Sequence, residues 1–135
     1  MIKRITVSTP GQGLHEITDQ VGSAVQEAGL DEGLCTVMVQ HTSASLIVQE
    51  NADPAARRDL ENWLNGLVRE DDTSFTHTTE GPDDMPSHIK SALTATSVAV
   101  PIVSGQLGLG TWQGIFLWEH RHRGSRRHLL VHISS

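Results

Sequence analysis

The sequence predicts an α+β fold in which most of the sheet is antiparallel. Segments with a strand pattern and segments with a helix pattern are intermingled without a regular βα repeat, and the last third of the chain is rich in strands. The 135 residues are enough for one domain with a hydrophobic core and too few for two ordinary domains. We therefore expect residues 1–135 to form a single domain.

Four elements are predicted in the first half of the chain. They are a strand, a helix and two further strands, at residues 3–9, 18–29, 34–41 and 43–50. Alternating, β-branched side chains indicate the first strand, and Val21 and Val25 share one face of the helix. Proline and glycine at positions 10–13 predict a turn. The fourth segment is either a separate strand or a continuation of the third after a bulge.

The second half begins with the clearest helix, within residues 51–68. Asp53 is its expected N-cap and Pro54 its first residue. Its apolar stripe comprises Leu60, Trp63, Leu64, Leu67 and Val68. A long polar loop is predicted at residues 69–85, and a second helix start at Pro86. Three strands follow, at residues 96–103, 111–121 and 126–134, and the last two form a hairpin.

Charge and composition exclude several classes of function. The net charge of −6 argues against a general nucleic-acid-binding protein. Four arginines at residues 121–127 form a local basic cluster, which favours a small anionic ligand or a subunit contact. Cys35 is the only cysteine, and its apolar surroundings predict a buried, unreactive thiol. No signal peptide and no run of membrane-spanning length are visible, so we expect a soluble, cytoplasmic protein without membrane contact.

Histidine is unusually frequent, with eight residues. His41 ends a predicted strand, His77 lies in the long loop, and His88 lies in the first turns of a helix. Histidines from three elements can converge on one tetrahedral metal ion and leave a fourth position open, as in catalytic zinc sites. Each of them alone is equally compatible with a surface or core position. The sequence assigns no role to four others, His120, His122, His128 and His132.

Two further groups of polar residues are candidates for chemistry. Asp83 and Asp84 precede His88 and are interpreted as partners that orient the imidazoles, as magnesium ligands, or as helix-capping residues. Glu50 and Asn51 follow a strand and precede a helix, where polar groups often line a pocket. Glu50 is a candidate general base, and Asn51 is alternatively a capping residue.

Three motifs resemble one known family. They are QHTSASLIVQENADP at residues 40–54, HTTEGPDDMPSHIKSAL at residues 77–93, and GQLGLGTWQGIFLWEHR at residues 105–121. The third has a glycine turn followed by Thr-Trp-Gln and then Glu. On these motifs, which extend over most of the chain, the sequence is identified as a member of the YjbQ family, also named secondary thiamine-phosphate synthase.

The resemblance implies a two-sheet, mostly antiparallel β-sandwich with two main helices, assembled as a homotrimer. His41, His77 and His88 stand at the family's motif histidines, which implies a divalent metal site, with zinc favoured and magnesium as an alternative. The resemblance also implies that the same pocket is lined by five polar residues, Glu50, Asn51, Thr111, Gln113 and Glu119. From these and from the residues already considered we take Glu50, Asn51, Asp84, Gln113 and Glu119 as candidate catalytic residues, and Thr111, Arg121 and Arg126 as candidate ligand-binding residues.

The function that this resemblance implies is a metal-dependent enzyme acting on small phosphorylated molecules. Its secondary activity would be thiamine-phosphate synthesis, which joins a pyrimidine diphosphate to a thiazole phosphate and releases pyrophosphate. Two alternatives remain at this point: a metal-assisted hydrolase, and a trimer that binds a ligand or metal without catalysis. Within the second motif, we expect His88 to be a ligand and Asp83 or Asp84 to support it or accept a proton.

Overall fold

Strands and helices are intermingled along the chain, and the computed structural model describes all of residues 1–135. The strands are β1 (Ile2–Ser8), β2 (Gly11–Glu16), β3 (Gly33–Val39), β4 (Ala44–Glu50), β5 (Ser97–Val103), β6 (Gln106–Leu107), β7 (Gln113–Arg123) and β8 (Arg126–Ser134). The helices are α1 (Thr18–Ala28), α2 (Pro54–Leu67) and α3 (Asp84–Leu93). This arrangement confirms a mixed α+β fold.

The strands form two antiparallel sheets. The larger sheet has the order β1-β8-β3-β5-β6, and the smaller sheet has the order β2-β7-β4. β3 and β4 lie in different sheets, so β4 is a separate strand and does not continue β3 after a bulge. β7 and β8 also lie in different sheets and do not pair, so the hairpin predicted for them is not formed. The turn between them passes from the smaller sheet to the larger one, which places residues 121–127 at one end of the sandwich.

The smaller sheet is the middle layer of the molecule. Its inner face packs against the larger sheet through residues such as Leu46, Ile115 and Leu117. Its outer face is covered by α2 and α3, where Leu64 contacts the cluster that contains Phe116 and Trp118. β7 is therefore buried on both faces over most of its length, which explains its nearly continuous apolar sequence.

The outer face of the larger sheet carries no covering element. Side chains that point outward include Ile2 on β1, Leu34 and Met38 on β3, and Val103 on β5, and all four are exposed. His128 and His132 of β8 are on the same face. A sheet of five strands with one open, partly apolar face is a surface suited to a protein partner.

The N-terminal turn is one place where the fold corrects the sequence prediction. Residues 11–16 form β2, paired with β7, instead of a turn at 10–13. Gly13 has a φ of 132°, and a Cβ built there would clash with a carboxylate oxygen of Glu61. Gly13 thus permits an irregular strand to pass close to α2, and the glycines conceal the strand pattern.

The helices differ from the prediction in start and exposure. The three helices predicted from the residues are present, one more than the two main helices that the resemblance implied, and α3 begins at Asp84, which places Pro86 inside the tolerant first turn. In α2, the stripe is only partly buried, because Trp63 and Leu67 are 65% and 56% exposed. No helix is long and apolar enough to cross a membrane, and a cytoplasmic location stays a prediction.

Candidate metal centre

Three side chains converge at the start of α3. The Nε2 atom of His77 lies 2.6 Å from Oδ2 of Asp84, and Nε2 of His88 lies 3.0 Å from the same oxygen. The three ligand atoms are all within 4.8 Å of one another. Asp84 and His88 are one turn apart on one face of α3, and His77 comes from the loop that precedes the helix. Two imidazoles and a carboxylate are a ligand set typical of zinc and related ions.

The hydrogen bonds of His88 show that the site fits a metal ion. Its Nδ1 atom lies 2.9 Å from the carbonyl oxygen of Thr42, which can only accept, so Nδ1 carries a proton. In the neutral ring Nε2 then presents a lone pair to Oδ2 of Asp84, which is also an acceptor. Two facing lone pairs at 3.0 Å require a positive charge at this position, either a proton or a metal ion. Metal-binding histidines usually donate their second N–H in this way.

Arg121 fixes both carboxylates at the start of α3. Its Nη1 donates to Oδ1 of Asp84 over 2.5 Å, and its Nε donates to Oδ2 of Asp83 over 3.0 Å. The side chain of Asp83 also accepts from the backbone N–H of His122. Since Oδ1 of Asp84 is occupied by arginine, Oδ2 is the oxygen that remains for a ligand role.

The charges around Asp84 keep it ionised. Burial by itself would raise the pKa of Asp84, but the hydrogen bond from His77 and the charge of Arg121 outweigh burial and lower it. The pKa of Asp83 is lowered against the same effect of burial, by the N–H of His122 and by Arg121. The hydrogen bond to Asp83 in turn raises the pKa of Arg121. The carboxylates are therefore available as anions at neutral pH.

A cavity of about 320 Å³ adjoins Arg121 at the turn between β7 and β8. Its lining is wholly polar, apart from glycine, and includes Arg121, Arg123 and Arg127 together with Ser43 and Ser125. Arg121 and Arg127 are engaged with acids, whereas no acid lines the cavity itself. Arg126, which was predicted to bind the ligand, is not among the lining residues, so this cavity supports Arg121 alone of the two predicted arginines.

His41 lies near this region but outside the three-residue cluster. Its Nε2 accepts a hydrogen bond from the backbone N–H of His128 over 2.8 Å, and the two rings stack at 5.6 Å between centroids. Burial, with the charges of Arg127 and His128, lowers the pKa of His41. The third ligand position that the sequence assigned to His41 is filled in this arrangement by Asp84. A ligand role for His41 stays a prediction.

Four of the predicted pocket residues lie at the other end of the smaller sheet. Glu50 pairs with Gln113, whereas Ala44, near the metal cluster, pairs with Glu119. Six residue steps of β4 separate these ends by about 20 Å. A single pocket in one chain therefore does not contain the metal cluster and the group Glu50, Asn51, Thr111 and Gln113.

The side chains of that distant group are engaged in local hydrogen bonds. Glu50 accepts from the backbone N–H of Asp53 just before α2, over 2.8 Å. Asn51 donates to Glu16, and Gln113 accepts from the backbone N–H of Gly110. These bonds hold the glycine-rich turn and the start of α2. They give Glu50, Asn51 and Gln113 structural roles, whereas Thr111 is exposed. The predicted catalytic and ligand-binding roles of these four residues stay predictions.

Glu119 is buried between the two sheets. Its carboxylate accepts from Arg127, to which it is paired, and from Oγ1 of Thr9 over 2.7 Å. Burial would raise its pKa, but Arg127 and Thr9 lower it below the usual range. Arg127 was not singled out by the sequence analysis. The burial of Glu119 on β7 and of Arg127 on β8 is not visible without the sheet assignment.

The two histidines of β7, His120 and His122, have different surroundings. His120 is 1% exposed, and its Nε2 lies 2.8 Å from Oγ of Ser45. His122 is exposed and pairs with Glu70 at 2.5 Å. The Ser45–His120 pair is closed off from solvent.

Comparison with known proteins places the whole chain in one family. The sequence profile described as "UPF0047 protein YjbQ-like" matches residues 3–135. The chain belongs to the YjbQ family. A YjbQ relative from Synechocystis sp. is 55% identical over 96% of this chain and 88% of its own. The protein called YjbQ in Escherichia coli O157:H7 is 44% identical over 93% of this chain and 91% of its own.

Solved structures of YjbQ-like proteins have the same fold. A conserved hypothetical protein from Thermus thermophilus superimposes with a TM-score of 0.87 at 34% identity, covering 98% of this chain and 99% of that chain. A protein from Sulfolobus solfataricus superimposes with a TM-score of 0.89 at 28% identity, covering 98% and 95%. The two-sheet arrangement is thus a property of the family.

The comparisons also correct the predicted function. The Synechocystis and Escherichia coli relatives are called UPF0047 proteins, a name that describes no reaction. The Sulfolobus structure is described as a YbjQ-like protein of unknown function, and a Clostridium acetobutylicum structure as an uncharacterized conserved protein. The prediction of a metal-dependent transferase with thiamine-phosphate synthase activity is therefore wrong as an interpretation of this family. The function has to be inferred from the site.

Proposed function

We propose that this protein binds one divalent transition metal ion, preferentially zinc, through Nε2 of His77, Nε2 of His88 and Oδ2 of Asp84. The observation that carries the proposal is the convergence of these three ligand atoms, all within 4.8 Å of one another, with Nδ1 of His88 turned to the carbonyl oxygen of Thr42. Nitrogen ligands favour zinc over magnesium, which prefers oxygen. Three protein ligands leave at least one coordination position for water or a ligand.

The partner of this metal site would be a small anionic molecule, with a phosphorylated compound as the best match. Arg121 contacts Asp84 and also lines the cavity formed with Arg123 and Arg127, here called the arginine cavity. An anion in the arginine cavity therefore lies next to the metal cluster. Arginine binds phosphate oxygens well through its paired N–H groups. Titration of the zinc-loaded protein with inorganic phosphate, in the wild type and in Arg123→Met, measures this part of the proposal.

Copies of the chain would assemble as a homotrimer through the open face of the larger sheet. That face combines exposed apolar residues such as Leu34 and Met38 with the imidazoles of His128 and His132. Burial of such a face stabilises an assembly in proportion to the apolar area removed from water.

Metal analysis tests the central proposal. The protein would be purified without a histidine tag and without added metal, then analysed by plasma mass spectrometry. We expect one metal ion per chain in the wild type and in His15→Gln, which changes a histidine of β2 outside the cluster. We expect loss of the ion in His88→Ala, with its fold checked by circular dichroism. Equal metal content in folded His88→Ala, or no binding by the wild type after reloading with zinc, would overturn the proposal.

A further inference from the structure

A second polar cavity, of about 490 Å³, lies between α2, α3 and the neighbouring strands β2 and β7. Its lining includes Gln12, Asn65, Glu70, Lys90 and His122, and Val68 is its one hydrophobic residue. It shares no residue with the metal cluster or with the arginine cavity. Its volume is within the range of small-molecule sites.

Lys90 is a buried cation in this cavity without a counter-ion. The residue is 2% exposed, and its one side-chain hydrogen bond is from Nζ to the neutral Oδ1 of Asn65, over 2.6 Å. An ammonium group has three donors, so two donors have no acceptor from the protein. Fully buried lysines are rare unless they are paired, because both the charge and the unused donors are costly in a protein interior.

The acids at the rim of the cavity do not supply that counter-ion. Glu70 is paired with His122 at 2.5 Å, and Asp71 is paired with Arg69 at 2.6 Å. No carboxylate of the chain forms an ion pair with Nζ of Lys90, although the charges of Glu70 and Asp83 act on it from a longer distance. A single carboxylate placed on Nζ would supply the direct ion pair that this cation lacks.

A second donor lies beside Lys90. The Nδ2 atom of Asn65 is 3.5 Å from Oε1 of Gln12, at the outer limit of a hydrogen bond, so this N–H₂ group is nearly free. Because Oδ1 of Asn65 accepts from Lys90, the two residues present an ammonium and an amide donor side by side. Two adjacent donors match the two oxygens of a carboxylate.

We propose that this cavity binds a small monoanionic carboxylate, with one oxygen on Nζ of Lys90 and the other on Nδ2 of Asn65. The polar lining favours a short, hydroxylated acid over a fatty acid, since Val68 is the one apolar contact. Phosphate dianions fit less well, because the carboxylate of Glu70 at the rim repels a second negative charge.

The small number of lysines allows a direct test. The chain contains two lysines, Lys3 and Lys90, so protein labelled with ¹³C at lysine Cε gives two lysine signals. Lys3 is exposed, pairs with Glu27, and serves as an internal control. We expect glycolate to shift the Lys90 signal saturably, at concentrations that leave the Lys3 signal in place, and we expect inorganic phosphate to shift it far less.

Two variants separate specific binding from a general effect of charge. Asn65→Asp places a carboxylate beside Lys90 within the protein itself, so the glycolate-dependent shift should be lost while the fold is retained. Gln20→Glu makes the same amide-to-acid change on the exposed surface of α1 and should bind glycolate as the wild type does. The proposal is overturned if no saturable Lys90 shift occurs, if phosphate matches glycolate, or if Asn65→Asp binds with unchanged affinity.

Discussion

The two oxygens of Asp84 have different tasks. Oδ1 accepts from Arg121, and Oδ2 faces the imidazoles of His77 and His88. Arg121 thereby sets the direction in which Oδ2 points and keeps the carboxylate ionised. Partners of this kind are part of a metal site although they do not touch the ion.

Removal of that partner should weaken metal binding without removing a ligand. For Arg121→Met we expect zinc affinity to fall by about 10- to 100-fold, the usual effect of losing a group that orients a ligand. Competition with a chromophoric chelator measures this affinity. Arg126→Met removes an exposed arginine outside the cluster and should retain the affinity of the wild type. Equal affinities in the two variants would show that Arg121 does not position Asp84.

At the scale of elements, β7 connects the parts of the site. Its side chains alternate between the larger sheet, where Glu119 binds Arg127, and the helical layer, where His120 meets Ser45. Beyond His120 the strand leaves the core and Arg121 reaches the start of α3. The two buried pairs hold β7 in position, and β7 in turn determines where Arg121 lies.

The burial of His120 makes the free energy of unfolding depend on pH in the acid range. Burial, with the charges of Lys90 and Arg127, lowers the pKa of His120 from 6.5 to about 3. Between these values the unfolded chain binds a proton that the folded chain does not, so stability falls as pH falls, by about 1.4 kcal/mol per pH unit. Above pH 6.5 this contribution is fully retained.

Urea unfolding in the presence of a chelator, repeated across this pH range, measures the effect. The free energy of unfolding of His120→Gln should decline less steeply towards acid than that of the wild type. Parallel curves would mean that His120 is as readily protonated in the folded protein as in the unfolded chain.

The elements that could be predicted are those with a repeating pattern. The α2 cap at Asp53 and Pro54 was predicted and found, and so was the strand-rich last third of the chain. β2 was missed because its glycines resemble a turn, and its pairing with β7 is a long-range contact. At the site, Asp84 was predicted to support His88, but its place inside α3, one turn before His88, was not predicted. The contact of Arg121 with the start of α3 depends on the sheet topology, and a local sequence pattern does not reveal that topology.

At the scale of the whole molecule, the open face of the larger sheet is an exposed, partly apolar surface. Met38 lies on its central strand, β3, and is 48% exposed in the single chain. A charge at this position is compatible with the folded protomer but not with a dry interface between copies. The face therefore offers a test of the proposed trimer.

Light scattering coupled to gel filtration measures the assembly. The wild type should have three times the 14.7 kDa mass of one chain, and Met38→Glu should dissociate. Trp63→Glu changes an exposed apolar residue of α2, on the opposite side of the molecule, and should remain trimeric. A wild type with the mass of one chain, or a trimeric Met38→Glu, would show that this face does not hold copies together.

Anomalous diffraction from crystals of the zinc-loaded protein, recorded on both sides of the zinc absorption edge, tests the proposed metal centre most directly. We expect one strong peak per chain about 2.0–2.2 Å from Nε2 of His77, Nε2 of His88 and Oδ2 of Asp84. A peak beside His41 without Asp84, or no peak at the start of α3, would contradict the proposed metal centre.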